Sequence, residues 1–525
     1  MEKNNRGIRL LKKGKRGLLR LLFSRIGIVT ILIWIEIFIM ISMVVWLNDF
    51  YPEYAGLMAV FTVGMVLYLI NAKMNPSAKI TWLILIMLFP LLGAAFLWYT
   101  KSDIGHRALK KRMEHVIKET DAFISQDEEV VERLKENRPE TVSLARYINR
   151  SGCYPVYDNT SVKYLPSGEA KFEELLKQLK EAKHFIFLEY FILDEGIMWG
   201  QVLKILSQKV DEGVEVRVMY DGTCEYTTLP TDYTQRLAKL GIKSKVFAPA
   251  KPFVSTHYNY RDHRKVLVID GHTAFTGGIN LADEYINETS RFGHWKDTAI
   301  MLKGEAVKSF TLMFLQMWSI DSKNEDFDEY KKYLSFDTKA EETEGFVIPY
   351  GDCPLDDDKL GERVYMDILN RSHKYVHIMT PYLILDEEME TAIKFAAERG
   401  VEVSIILPGI PDKRNPYALA KTHYKALLES GVNIYEYAPG FVHAKVFVSD
   451  DEKAVVGTIN LDYRSLYHHF ECAAYLSGVG CIDDIEKDFQ ETALLCRRVT
   501  HESIKKEKLL LKIQGVLLKV IAPLL

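Results

Sequence analysis

The sequence predicts an α/β fold made of two tandem copies of one domain, preceded by an apolar helical segment. Three observations lead to this prediction. Apolar β-like runs alternate with amphipathic helical runs through most of the chain, one set of polar residues recurs at the same spacing 180 positions later, and long apolar runs fill residues 26–100. A chain of 525 residues is long enough for two or more domains, each with its own core.

The composition argues against several classes of function. The formal net charge of −4 gives no general attraction for nucleic acid, so no nucleic-acid partner is predicted. None of the six cysteines shows C-x-x-C spacing or a histidine at zinc-ligand spacing, so neither a metal site nor a disulfide framework is expected, and no cofactor is implied. Residues 1–25 hold nine lysines or arginines and one glutamate, and this basic segment is expected to stay in the cytoplasm.

The apolar region of residues 26–100 predicts transmembrane helices. Its runs at 26–47, 54–70 and 80–99 are near the length of one bilayer span, although the second is short, and aromatic residues lie at their ends. The first run is longer than the apolar part of a signal peptide, and no cleavage site follows it, which favours an anchor. Two spans would leave the rest of the chain inside the cell and three would place it outside, and the sequence leaves both open. The predicted location is the cell membrane, as a multi-pass integral protein.

Two segments of similar size repeat one order of elements. In each, a buried strand is followed by a helix that ends at glycine and then by a second strand, and both copies contain the tetrapeptide GVEV, at Gly213–Val216 and Gly400–Val403. The predicted strand, helix and strand lie at 184–192, 199–213 and 214–220 in the first copy and at 375–385, 388–400 and 401–407 in the second. This pattern predicts a two-copy repeat of domain size.

The repeat sets the predicted domain boundaries. A polar helical connector at 101–140 precedes the first domain at 141–320, a charged linker follows at 321–345, and the second domain occupies 346–500. Residues 501–525 predict an amphipathic C-terminal helix, because apolar residues recur at helical spacing among lysines. That helix fits either the surface of a membrane or the face of the globular core.

Each predicted domain carries one skeleton of polar residues. It reads His-x-Lys, then Asp after four residues, then Gly after six more, with Asn three positions beyond. Residues two apart on a β-strand project from the same face, so each histidine and lysine can face one anion, most simply a phosphate. The skeleton residues are His263, Lys265, Asp270, Gly277 and Asn280 in the first domain, and His443, Lys445, Asp450, Gly457 and Asn460 in the second, with Gly278 and Thr458 directly after the two glycines.

The duplication of the skeleton predicts one site shared by two halves. One histidine can attack phosphorus while the other protonates the leaving oxygen, and the two roles reverse in a second step. No metal is required, because two lysines and two asparagines offset the charge of the phosphate. The aspartates lie at the far end of the predicted strand, where they are better placed to fix a loop or the partner half.

These paired motifs resemble those of the phospholipase D superfamily, and within it the sequence is similar to bacterial cardiolipin synthases. The blocks "TGGINLADEYIN", "GHWKD" and "GTINLDYRSLYHHFE", with the apolar segment at 75–99, carry this resemblance. It implies two tandem phospholipase D-like α/β/α sandwich domains related by a pseudo-dyad. It also implies transfer of a phosphatidyl group between two phosphatidylglycerol molecules through a phosphohistidine, with release of glycerol. The implied partners are phosphatidylglycerol and the lipid bilayer, and the oligomeric state stays open.

The resemblance also implies residue roles. His263 and His443 would be the nucleophile and the general acid/base, with His263 as the nucleophile. The lysines and asparagines of the motifs would hold the phosphate beside Gly278 and Thr458, and Asp270 and Asp450 would complete the catalytic set. Thr458 stands where serine is common and keeps the hydroxyl group.

A histidine nucleophile needs a carboxylate on its second ring nitrogen to fix its tautomer. Glu471 is the candidate for the second half, and Asp297 or Glu284 could serve the first half. A structural salt bridge is the alternative for each. Four further histidines near the motifs are expected to be structural: His257, His294, His468 and His469.

Other functions are weighed against this one. A hydrolase of the same superfamily, or a phosphatidyltransferase with another acceptor such as phosphatidylethanolamine, would carry the same motifs. A nuclease should show a basic groove with stacking aromatic residues, and the region that holds the motifs has no basic run. A scaffold with a decayed site is disfavoured, because the motif positions are intact in both domains.

Overall fold

The computed structural model describes residues 34, 37–38, 41–42, 51–101, 104–249, 260–322, 326–336, 343–356 and 358–524. The basic segment at 1–25, most of the predicted span at 26–47, and His257 lie outside the described residues. The chain divides into two compact units. The larger contains Gly105–Val516 and therefore both predicted α/β domains, and the smaller contains the described part of Leu11–Ile104 together with Leu517–Leu525.

The smaller unit contains helices α1 (Tyr51–Asn71), α2 (Pro76–Leu88) and α3 (Pro90–Lys101). They pack around Leu69, Trp82, Ile86 and Leu97. The apolar run at 80–99 forms parts of two helices that are divided at Pro90, and its role as a membrane span stays a prediction. Proline has no N–H group and disfavours helical geometry in the residue before it, and Phe89 accordingly leaves the helix with φ −137° and ψ 79°.

Among the residues that the structure describes, none of the helices combines the length and the apolar character needed to cross a bilayer.

The larger unit alternates strands and helices. Its helices are α4 (Ile104–Thr120), α5 (Glu128–Asn137), α6 (Val142–Gly152), α7 (Gly168–Glu181), α8 (Ile197–Asp211), α9 (Thr223–Thr227), α10 (Tyr233–Ala238), α11 (Val307–Ser319), α12 (Lys331–Leu334), α13 (Leu360–Arg371), α14 (Glu387–Glu398), α15 (Arg414–Glu429), α16 (Tyr463–Tyr467), α17 (Cys481–Leu494) and α18 (His501–Lys506), and α19 (Leu509–Ile521) runs on into the smaller unit.

The strands of the larger unit follow the same numbering along the chain. They are β1 (Thr160–Leu165), β2 (Phe185–Tyr190), β3 (Glu215–Asp221), β4 (Lys243–Phe247), β5 (Arg261–Asp262), β6 (Lys265–Ile269), β7 (Thr273–Gly277), β8 (His294–Lys296), β9 (Ala299–Gly304), β10 (Phe346–Asp352), β11 (Tyr375–Met379), β12 (Glu402–Pro408), β13 (Asn433–Tyr437), β14 (Gly440–Val442), β15 (Val446–Ser449), β16 (Lys453–Gly457), β17 (His469–Ser477) and β18 (Cys496–Arg498).

Two mixed sheets have matching strand orders. The first runs β1-β9-β7-β6-β2-β3-β4, and the second runs β10-β17-β16-β15-β11-β12-β13 and continues to β18. In both, the strands from β2 to β4 and from β11 to β13 are parallel and the others pair antiparallel. The predicted α/β fold and its duplication are therefore confirmed, and each sheet with its helices is called a half below.

The two halves share one hydrophobic core. Strand residues Val268 and Val448, one from each half, belong to the same buried cluster as Phe310 and Met313 of α11 and Phe489 of α17. Each fully buried side chain of this size contributes about 1.5–3 kcal/mol of transfer free energy. The halves are therefore held together by packing as well as by the chain.

Two short strand pairs cross from one half to the other. Strand β5 runs parallel to β17, with Arg261 opposite His469, and β14 runs parallel to β8, with Phe441 opposite Trp295. Each pair joins the segment just before the motif histidine of one half to the returning strand of the other half, or to the short strand just before it. These crossings place the motif residues of both halves at one location.

Candidate active site

The motif histidines follow the crossing strands and are held by the opposite half. The backbone N–H of His263 donates to the carbonyl of Phe470 at 2.9 Å, and that of His443 donates to the carbonyl of Lys296 at 2.7 Å. Strand β6 begins at Lys265, so His263 precedes the strand instead of sharing its face as the sequence predicts. The backbone position of each histidine therefore depends on the other half.

The ring of each histidine is paired with a carboxylate of the opposite half. His263 Nδ1 lies 2.9 Å from both carboxylate oxygens of Glu471, and His443 Nδ1 lies 2.7 Å from Asp297 Oδ2. The prediction that Glu471 serves the second half and Asp297 the first is wrong, because the strand pairs cross between the halves. Among the described residues, the alternative candidate Glu284 is hydrogen bonded to neither histidine. Burial raises the pKa of Glu284, and the nearby charge of Asp194 raises it further.

Glu471 and Asp297 occupy equivalent positions in the two halves. Gly277 pairs with Ala299 in the first sheet, and Gly457 pairs with Ala473 in the second. Each carboxylate lies two residues before the paired alanine, on or just before the strand that returns beside the motif. The sequences around them differ, and the strand register shows the equivalence.

Gly278 and Thr458 support these carboxylates in two different ways. A Cβ atom on Gly278 would lie 2.0 Å from Asp297 Oδ1, so only glycine leaves room for the aspartate. At the equivalent position, the hydroxyl of Thr458 donates a hydrogen bond to Glu471 Oε2. Both residues were predicted to contact substrate, and the contacts they make here are with the orienting carboxylates.

The two lysines lie beside both histidine–carboxylate pairs. Each ammonium group donates to the backbone carbonyl of the histidine two residues before it, Lys265 to His263 and Lys445 to His443. Lys445 Nζ also lies 2.9 Å from His443 Nδ1, and both lysines interact electrostatically with Asp297 and Glu471. Burial lowers the pKa of Lys265 to about 8 and the pKa of Lys445 to about 7. A bound anion would restore their full charge.

Burial also lowers the pKa of both motif histidines. It lowers the pKa of His263 well below the ordinary value, against the opposing effect of Glu471, and it lowers the pKa of His443 in the same direction with help from Lys445 and Lys265. Both rings are therefore neutral at pH 7. With Nδ1–H donated to the carboxylate, the lone pair is on Nε2, which suits a nucleophile or a base.

The two carboxyl groups differ in acidity. Burial raises the pKa of Asp297 to about 6, although Lys445 opposes the increase. Burial also acts to raise the pKa of Glu471, but the contact with His263 and its hydrogen bond outweigh burial and hold that pKa well below the usual range. Glu471 is therefore ionised throughout the physiological range, whereas Asp297 titrates just below it.

The motif asparagines have different surroundings. Asn280 Oδ1 accepts from the N–H of Ile192 at 3.0 Å, and its amide donates to the Tyr285 hydroxyl at 2.7 Å. Asn460 is buried, and its Oδ1 has no hydrogen-bond partner among the described residues. Asn280 thus fixes the turn that it belongs to, and its predicted contact with phosphate stays a prediction.

Asp270 and Asp450 lie at the far ends of the strands, away from the histidines. Each has a left-handed backbone, with φ of 53° and 60°, which aspartate tolerates in turns. Each carboxylate accepts three backbone N–H groups at 2.7–2.9 Å, from Lys183–Phe185 in the first half and His373–Tyr375 in the second. They tie the start of β2 and β11 to the motif strand and act on the site through the fold.

Several buried residues at the site were not predicted from the sequence. Lys171 Nζ donates to the carbonyl of Ile279 at 2.9 Å, and the Tyr365 hydroxyl donates to the carbonyl of Ile459 at 3.0 Å, so each half has a donor behind its motif turn. Burial lowers the pKa of Lys171 to about 7. A lysine on an amphipathic helix is usually at the surface, so no local sequence pattern identifies Lys171 as buried at the site.

Two sets of side chains have donor atoms close enough to hold a metal ion, and both belong to the part of the chain that the structure describes. Within each set, the donor atoms lie within 4.8 Å of one another. The first set is His263, His469 and Glu471, and the second is Glu362, Asp386 and Glu388. His469, expected from the sequence to be structural, therefore lies beside His263, with 5.4 Å between ring centroids.

Comparison with known proteins matches the sequence to a family. The family model described as the phospholipase D-like domain of cardiolipin synthase matches residues 175–318 and 365–493, one segment in each half. An uncharacterized protein of Streptococcus mutans is 59% identical over 88% of this chain and 100% of its own length. Cardiolipin synthase of Alkalihalophilus pseudofirmus is 33% identical over 82% of this chain and 85% of its own, and cardiolipin synthase 2 of Bacillus anthracis is 32% identical over 89% and 90%.

A solved structure shares the fold. Phosphatidylserine synthase of Haemophilus influenzae superposes with a TM-score of 0.56 and 17% sequence identity, and the match covers 73% of this chain and 98% of the other. At this identity the likeness concerns the fold alone. With the two matched segments and the relatives above, the chain belongs to the cardiolipin synthase family of phosphatidyltransferases in the phospholipase D superfamily.

Proposed function

We propose that this protein is a cardiolipin synthase that transfers a phosphatidyl group from one phosphatidylglycerol to another. The observation that supports this most is the pair of neutral histidines, each oriented by a carboxylate of the opposite half beside two buried lysines. Such a site offers two nitrogen bases and two cations to one phosphodiester. The relatives named cardiolipin synthase supply the substrate class.

In the first step, His263 Nε2 attacks the phosphorus of the donor lipid. A phosphorus–nitrogen bond forms, and the bond from phosphorus to the glycerol headgroup oxygen breaks. Glu471 accepts a hydrogen bond from the Nδ1–H group and stabilises the positive charge that develops on the ring. His443, protonated once the lipid is bound, gives its Nε2 proton to the leaving glycerol oxygen. The bound phosphate offsets the charge of Lys265 and Lys445, and this raises the pKa of His443 toward the value that a proton donor needs.

In the second step the roles reverse. His443, now neutral, takes a proton from a glycerol hydroxyl of the second phosphatidylglycerol, and that oxygen attacks phosphorus. The phosphorus–nitrogen bond breaks, His263 is restored, and cardiolipin leaves. The two lysines hold the non-bridging oxygens through both steps, with Asn280 and Asn460 proposed as further donors.

The direct test is product analysis with defined lipid. Purified protein in mixed micelles of phosphatidylglycerol should form cardiolipin and glycerol in equal amounts, and a His263→Ala variant should form neither. Accumulation of phosphatidic acid with no cardiolipin would identify a hydrolase and overturn the proposal. Adding phosphatidylethanolamine as a second lipid tests whether a headgroup other than glycerol takes part in the transfer.

Membrane attachment is part of the same proposal. Apolar side chains are exposed on the helices of the smaller unit, and the C-terminal α19 exposes Leu509, Leu510 and Leu517 at 66–73%. Such helices suit the surface of a bilayer that carries the lipid substrate. Extraction of isolated membranes with alkaline carbonate separates integral from surface-bound protein, and recovery in the soluble fraction without any extraction would refute attachment.

A further inference from the structure

Beside each motif histidine lies a second ring, and the two rings occupy equivalent positions. Trp295 pairs in register with Phe441, two residues before His443, and His469 pairs with Arg261, two residues before His263. The Trp295 ring lies 5.3 Å from that of His443, and the His469 ring lies 5.4 Å from that of His263, between centroids. The duplication therefore places one nitrogen-bearing ring against each histidine.

Both rings carry polar atoms without a partner. Trp295 and His469 are 7% and 8% exposed, and among the described residues neither Trp295 Nε1 nor either ring nitrogen of His469 has a hydrogen-bond partner. His469 Nδ1 lies 3.7 Å from Glu471 Oε1, an ion-pair distance that helps to lower the pKa of Glu471, so Nε2 is the ring nitrogen left for a ligand. A buried N–H without a partner is costly, and phenylalanine would fill either place without that cost. Two such groups at equivalent positions therefore indicate that their partner is the substrate.

The surroundings assign a side of the phosphorus to each ring. In an in-line displacement, the nucleophile and the leaving alcohol lie on opposite sides of phosphorus. Under the proposed function, His263 is on the side of attack and His443 is on the side of the alcohol. The rings of Tyr285 and Phe441 lie 4.9 and 4.8 Å from that of Trp295, so aromatic rings surround the alcohol side and the tryptophan brings an N–H donor to it.

We propose that Trp295 and His469 are substrate-binding side chains of the two halves. The N–H of Trp295 donates to a hydroxyl oxygen of the glycerol headgroup beside His443, and a ring nitrogen of His469 hydrogen bonds to a phosphate oxygen beside His263. This inference rests on the proposed function for the identity of the headgroup. The placement of both rings follows from the structure alone.

Two substrates separate the two contacts. Phosphatidylglycerol carries the glycerol hydroxyls, whereas phosphatidyl-p-nitrophenol has the same phosphate and no glycerol headgroup. A Trp295→Phe variant keeps the ring and loses the donor, so kcat/KM for phosphatidylglycerol should fall about tenfold, mainly through KM, with the p-nitrophenyl ester within twofold of wild type. A His469→Phe variant should lower kcat/KM about tenfold for both substrates, and His469→Gln, which restores a donor, should recover most of it.

A control variant separates this effect from loss of fold. Trp318→Phe alters a buried tryptophan that stacks on Phe314 at 5.7 Å in the shared core, so it reports the general cost of a smaller ring. The inference is overturned if Trp295→Phe and His469→Phe both stay within twofold of wild type on both substrates. If wild type forms phosphatidic acid instead of cardiolipin, the proposed function fails, and the same comparison of the two substrates still tests both contacts.

Discussion

Replacing the two orienting carboxylates one at a time should disable different steps of the reaction. The variants are Glu471→Gln and Asp297→Asn. Because the pairing crosses between the halves, the change at Glu471 should disable His263, and the change at Asp297 should disable His443. A pairing within each half would give the opposite assignment.

The size of the effect follows from the contacts. Thr458 donates to Glu471, and the backbone N–H of Thr298 donates to Asp297 Oδ1 at 2.8 Å, so in each amide variant the remaining carbonyl oxygen stays on that donor. The new NH₂ group then faces the histidine Nδ1 and forces the proton onto Nε2. Loss of the charge-assisted hydrogen bond alone costs about 1.5–3 kcal/mol, a factor of about 10–150. The wrong tautomer adds to this, since a comparable change in a serine protease lowers kcat about 10⁴-fold.

A leaving group that needs no proton separates the two steps. With phosphatidyl-p-nitrophenol, the Asp297→Asn variant should release one equivalent of p-nitrophenol rapidly and then turn over at least 100-fold more slowly than wild type. The Glu471→Gln variant should show no burst. Intact mass after an alkaline quench should find the phosphatidyl adduct in the first variant and not in the second.

The opposite result is equally clear. A burst in Glu471→Gln together with none in Asp297→Asn would mean that His443 is the nucleophile. Full turnover in either variant would refute the orienting role of that carboxylate. Thermal unfolding of both variants checks that the shared core is intact.

Three further predictions concern the support of the site. Thr458→Val should lower kcat/KM about tenfold in steady-state kinetics, because Glu471 loses a hydroxyl donor. Thr458→Ser should keep the wild-type value, and a Thr458→Val variant as active as wild type would contradict the contact. Asp270→Asn should lower the free energy of unfolding by about 1–3 kcal/mol, since the carboxylate accepts three backbone N–H groups, with KM nearly unchanged; urea titration measures the loss. The pH profile of kcat/KM should be bell-shaped. It should fall below about pH 6, where Asp297 is protonated, and above pH 7–8, where Lys445 loses its proton, because the pKa of Asp297 is raised to about 6 and that of Lys445 is lowered to about 7. A flat profile from pH 5 to 9 would contradict these shifts.

Local sequence was enough to predict the elements and the motif positions. Strands and helices of the repeat fell where alternation and helical spacing indicated, since the periodicity reflects which side chains the sheets bury. Glu471 and Asp297 were also identified as candidate carboxylates, because a histidine of this kind needs one. Pro90 lies in an otherwise continuous apolar run. Hydropathy alone did not predict that the helix would end there, because it takes no account of the N–H group that proline lacks.

Pairing between the halves could not be predicted from local sequence. The sequence predicts Glu471 as the carboxylate of the second half, yet it reaches His263 of the first half across the crossing strands. Lys171 and His469 were missed for the same reason, since each is adjacent to the site only after two distant segments have packed. Their burial is a property of the assembled core.

The crossed carboxylates make catalysis and assembly inseparable. A half that folded alone would hold a motif histidine without the group that sets its tautomer, so it would be inactive even with every motif residue in place. A substitution that loosens the packing of α11 against the two sheets should therefore act like damage to a histidine, although α11 carries no motif residue. Activity in this protein measures the integrity of the whole larger unit, and the two copies can diverge in sequence only as far as each still completes the other.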